Sequence, residues 1–76
     1  MKDIPVVRTH LPQQKGFVID IRKIHPGYVE AADGSQYLVP SALLGWALSA
    51  CAADLSGRCE FGVLNGRWYA EWLAPL

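Results

Sequence analysis

Seventy-six residues at 8.4 kDa are enough for one small core and too few for two. About half of them are apolar and 18% charged, which excludes a disordered tail, and seven basic residues balance seven acidic ones, so no overall field draws in a polyanion or a membrane surface. The longest apolar run, residues 42–53, is shorter than the roughly 20 residues of a membrane-spanning helix, and the opening residues lack a secretory apolar stretch, so a cytoplasmic chain with Cys51 and Cys59 as free thiols is expected.

The balance hides an asymmetry. Residues 1–25 hold Lys2, Arg8, Lys15, Arg22 and Lys23 against Asp3 and Asp20, a surplus of three positive charges, and the rest of the chain carries the matching negative surplus. Residues 1–14, with Pro5 and Pro12 and no sustained period, read as an arm with a short extended piece at Val6 and Val7. Residues 15–76 read as the single domain. From Phe17 a β-branched and aromatic run predicts a strand, with Phe17, Ile19 and Ile21 on one face and Val18, Asp20 and Arg22 on the other. His25-Pro26-Gly27 turns the chain. Two short strands, 27–31 and 36–39, flank Asp33-Gly34, a type I′ hairpin signal. A two-residue loop would set Glu30 opposite Tyr37, Val29 opposite Leu38 and Tyr28 opposite Val39, with Tyr28, Glu30, Tyr37 and Val39 sharing one face.

A helix is predicted from Pro40-Ser41, with Ser41 as N-cap, to near Leu55. Its bulky stripe of Leu44, Ala47, Leu48, Cys51 and Leu55 suits a barrel plug. The opposite face, Ala42, Gly45, Ser49, Ala52 and Ala53, is uniformly small, with Leu43 and Trp46 towards one edge. A second hairpin, 58–64 and 67–73, turns at Asn65-Gly66. It pairs Val63 with Trp68, Phe61 with Ala70 and Cys59 with Trp72 on the core side. The other side pairs Leu64 with Arg67, Gly62 with Tyr69 and Glu60 with Glu71, and Arg58 is placed to relieve that carboxylate pair.

Three strands, a helix and two strands make the chain mainly β, in the order of a five-stranded OB-like barrel with one α-helix between strands 3 and 4. An SH3-like barrel or an α+β sandwich are the other architectures. Gly16-Phe17-Val18, Gly27-Tyr28-Val29, Asp33-Gly34, Tyr37 and Ser41-Ala42-Leu43 fall in an order and spacing that resembles the cold-shock domain, over residues 15–43. That resemblance implies single-stranded RNA or DNA binding, by bases stacking on sheet aromatics at about 1–3 kcal/mol per base. It implies Tyr28 and Tyr37 as the stacking residues. Asp20, Pro26, Val39 and Pro40 depart from the family where further aromatics and a histidine are expected, so the platform is depleted or repurposed.

Two functional readings follow. In one, Tyr28 and Tyr37 stack bases while Arg22, Lys23, His25 and Lys15 contact phosphates. In the other, a helix without charges on either face carries a protein interface of Leu43, Trp46, Gly45, Ser49 and Ala53, with Trp46 as anchor, for a homodimer or a different partner. The arm, through Ile4, Val6, Val7 and Leu11, could instead cover that face. His10, His25, Cys51 and Cys59 lack zinc spacing, and no nucleophile or phosphate-loop motif is present, so a non-enzymatic binding module without metal or cofactor is expected.

Overall fold

The computed structural model describes residues 7–74. Its elements are β1 (Thr9–His10), β2 (Phe17–Ile24), β3 (Tyr28–Ala31), β4 (Gln36–Leu38), a 3-10 turn (Ser41–Leu43), α1 (Leu44–Ala52), β5 (Gly57–Leu64) and β6 (Arg67–Ala74). The chain is mainly β, but its strands form one six-stranded sheet in the order β1-β4-β3-β2-β5-β6, open between β1 and β6. The expected closure into a five-stranded barrel is absent. The extra strand comes from the arm: Thr9 and His10 pair in parallel with Tyr37 and Leu38, and Leu11 is buried in the core. Among the described residues no helix is long and apolar enough to cross a membrane.

β2 alternates as expected, with Ile19 and Ile21 buried and Val18 exposed. A register slip between Ile21 and Lys23 then returns Ile24 to the core. The β5–β6 hairpin has the six pairs read from its sequence, because Asn65 and Gly66 take the positive φ angles, 54° and 74°, that a type I′ turn demands. Cys59 and Phe61 are its fully buried residues. Relief of the Glu60–Glu71 pair comes from a different group than expected. Arg58 bonds Asp20 across β2 at 2.8 Å, while the Tyr69 hydroxyl donates to Glu60 at 2.6 Å.

The first hairpin corrects the expected register by one residue. Gly34, at φ 92°, closes a three-residue loop: its N–H donates to the Ala31 carbonyl at 3.0 Å, and the Ala31 N–H donates to Ser35 at 2.8 Å. This is a type I turn with a glycine bulge rather than a two-residue type I′ turn. Val29 therefore faces Tyr37, and Tyr28 faces Leu38. A one-residue slip turns every side chain over. Tyr28 and Tyr37 lie on opposite faces.

The helix also differs from expectation. Pro40 precedes the 3-10 turn, Ser41 makes no capping bond, and α1 begins only at Leu44. Its packed residues are Leu43, Ala47 and Ala50, with Trp46 and Cys51 half-buried against the core. That set follows helical spacing, but it is rotated by about one residue from the expected plug, leaving Leu44, Leu48 and Leu55 exposed. The helix ends in a Schellman motif: Leu55 donates to the Ala50 carbonyl at 3.0 Å, Asp54 donates to Cys51 at 3.1 Å, and Asp54 is left-handed at φ 54°. An aspartate there is strained, and its charge opposes the helix dipole. Asp54→Gly is expected to raise stability by about 0.5–1 kcal/mol, read as a higher urea midpoint with an unchanged slope.

Candidate functional site

On the outer face of β3, the Tyr28 ring is enclosed on both sides. The His25-Pro26-Gly27 turn, closed by the His25 N–H donating to the Tyr28 carbonyl at 2.8 Å, lays the imidazole parallel to the phenol at 4.2 Å. The Arg8 guanidinium sits 3.9 Å from the same ring centre, and its Nε donates to Gln36 Oε1 at 2.8 Å. Two groups this close to one ring centre occupy opposite faces of it, a cation–π contact on one side and a stack on the other. Glu30, next along this face, pairs with Arg22 and lies 3.3 Å from His25 Nε2. Lys23 stands opposite Glu30 in the ladder.

The structure thus gathers Arg22, Lys23, His25 and Tyr28 around Glu30 and separates two predicted members. Tyr37 packs edge-on against Phe17 on the core face, with centroids 5.5 Å apart. Lys15 lies on the far side of β2, in a turn against Gly62 of β5. The expected two-ring platform is not assembled, since one ring is in the core and the other is covered. Arg8, which had no assigned role, is the residue that covers it. A lone arginine in a proline-broken arm carries no signal of such a contact.

Burial, and then the nearby Lys23 and Arg8 charges, hold the His25 imidazole below its ordinary value, and the Glu30 carboxylate does not outweigh them. The unfolded chain therefore takes up the proton first, and this contribution to stability, complete above the unfolded value of about 6.5, is lost as pH falls from there through the lower folded value. Thermal melts between about pH 7.5 and pH 5.5 are expected to show a decline that His25→Gln flattens.

The second candidate surface is α1. Gly45, Ser49 and Ala53 are exposed as expected, whereas Leu43 and Trp46 are not free. The Trp46 ring meets Phe61 edge-on at 5.2 Å and Trp72 at 5.9 Å, so the expected anchor is part of the core. Its place is taken by Leu44, Leu48 and Leu55, the last continuing into an apolar hollow of roughly 310 Å³ lined by Leu55, Ser56, Trp72, Leu73 and Ala74. The described part of the arm runs along β4 and over β5 and leaves this face open. Ile4 and Val6, also assigned to covering it, lie outside the described residues.

The four soft ligands are dispersed: His10 on β1, His25 after β2, Cys51 in α1 and Cys59 in β5. Burial pushes the Cys59 thiol up to about 12, while Cys51 is partly exposed. One thiol, Cys51, is expected to react with an aromatic disulfide reagent in the native protein, and the second only on unfolding. Equal native rates would contradict the packing of Cys59.

Comparison with protein families, with curated proteins and with solved structures finds no match to this chain.

Proposed function

We propose that this chain is a small, non-catalytic cytoplasmic binding module that docks an apolar protein surface on α1 and the hollow beside it. The observation that carries the reading is the uncharged segment 40–53, whose leucines Leu44 and Leu48 point to solvent, Leu48 with 55% of its surface exposed. A contiguous apolar patch on so small a protein is characteristic of an interaction site. Small residues at Gly45 and Ser49 allow a partner's backbone to approach closely, while the leucines supply the area to be buried. Within the same proposal, β2–β6 is taken as an OB-like arrangement left open, on the strength of the β2-β3-β4 meander, β5 laid on β2, and the helix between β4 and β5.

Single-strand binding is the second reading, and it has less support. Stacking a base on Tyr28 requires removal of Arg8 or His25, and Glu30 engages Arg22 in the centre of the basic group. The two readings separate in one experiment. Wild-type protein and the Leu44→Glu/Leu48→Glu variant are used as bait against a host extract, and both are titrated with a labelled oligonucleotide at low salt. A defined protein retained by wild type and lost with the variant is the expected result. Salt-sensitive oligonucleotide binding that Tyr28→Ala abolishes and the helix variant leaves intact would overturn it.

A further inference from the structure

We propose that the free edge of β6 is a self-association site, where two copies of this chain pair their β6 strands antiparallel about Tyr69. The sheet's two edges are unlike. β1 is a two-residue strand followed by Pro12, whereas β6 is eight residues long, contains no proline, and is regular from Arg67 to Trp72. The type I′ turn makes Leu64 and Arg67 a hydrogen-bonded pair, so Arg67, Tyr69 and Glu71 direct their N–H and C=O groups to β5. Trp68, Ala70 and Trp72 direct theirs outward. Among the described residues, no backbone hydrogen bond from outside β5 reaches β6. A long edge with unpaired backbone groups is a template for strand addition.

The charges on β6 select the occupant. Arg67 and Glu71 are its only charged residues, neither forms an ion pair among the described residues, and Glu71 stands across from Glu60. Antiparallel alignment about Tyr69 sets Arg67 of each copy opposite Glu71 of the other. Both contacts fall at non-hydrogen-bonded positions, where facing side chains approach most closely. Trp68 and Ala70 then exchange the backbone bonds that the isolated chain leaves open. The same alignment brings the Leu64 end of one hairpin beside the Leu73 end of the other, and both leucines are half-exposed in the single chain. Sliding the axis to Ala70 loses both ion pairs, leaving Arg67 opposite Leu73 and Glu71 opposite Tyr69. The strand is self-complementary in one register.

This surface is separate from the helix face, and the test keeps them apart. Sedimentation of the full chain from micromolar to millimolar concentration is expected to reveal a monomer–dimer equilibrium. Arg67→Glu and Glu71→Arg should each weaken it by roughly tenfold, and the double exchange R67E/E71R should restore it. Ala70→Pro removes an outward N–H without touching a bond to β5, so it should abolish the dimer while circular dichroism stays that of the folded chain. A chain monomeric at millimolar concentration would overturn the proposal. So would a dimer indifferent to Arg67→Glu, a double exchange that fails to restore it, or a dimer dissolved by Leu48→Glu in place of the β6 variants.

Discussion

Phe61→Ala is expected to remove about 3–5 kcal/mol of stability, the transfer term for the ring together with the cavity it leaves. Phe61 is fully buried at the middle of β5, opposite Phe17 on one side and Ala70 on the other. It forms a T-shaped pair with Trp46, ring centroids 5.2 Å apart, so the ring joins the helix to the sheet. In a domain whose total stability is about 5–15 kcal/mol, such a loss is a large fraction of the whole. Urea titration is expected to give a midpoint lowered by about a fifth or more, at an unchanged slope. Phe61→Leu, which keeps most of the volume, should cost less than about 1.5 kcal/mol. A small loss on truncation to alanine would mean that α1 is not held by this contact.

Gly62→Val is expected to cost about 2–3 kcal/mol for a different reason, since here nothing is removed and a group is forced in. Gly62 points to the outer face of β5, where the chain at Gln14–Lys15 crosses over it. A Cβ would stand 2.6 Å from the Gln14 carbonyl oxygen, 2.8 Å from Lys15 Cα and 3.0 Å from the Tyr69 hydroxyl. Two of these three atoms are backbone and cannot rotate away. The crossing is also bonded, because the Gly16 N–H donates to the Tyr69 oxygen at 3.0 Å while that hydroxyl donates to Glu60. Hydrogen exchange at Gly16 should therefore accelerate in the variant well before global unfolding. An unchanged exchange rate would contradict the crossing.

The hairpins explain how far the sequence could be read. Asn65-Gly66 permits a tight type I′ turn, flanking aromatic and apolar residues fall into register, and every pair followed from that. Asp33-Gly34 carries the same kind of signal, yet glycine at a left-handed position serves a three-residue loop equally well, and alternation cannot tell the two apart in strands of four and three residues. The supposed aromatic platform was lost in that one-residue difference. For α1 the difficulty was lack of contrast: with no charge between Pro40 and Ala53, a stripe through Leu44 and Leu48 looked as apolar as the one through Leu43, Trp46 and Ala50 that is packed. Trp46 decides the rotation because its ring fills the space between Phe61 and Trp72. β1 is too short and too polar to carry any period. Gly62 could be noticed only as a glycine inside a strand, a sign of close backbone approach.

The clasp of Gly16 by Tyr69, 53 positions further along, has a temporal consequence. During synthesis the arm is made before β5 and β6, but its seat is built in part from that later hairpin. Until β6 exists, Leu11 has an incomplete core to enter, and the turn at Gln14–Gly16 lies over β5 without the Tyr69 hydroxyl that holds it. Nascent chains stalled before Arg67 should therefore leave the turn at Gln14–Gly16 more open to protease, because an earlier segment waits for a later one to be made.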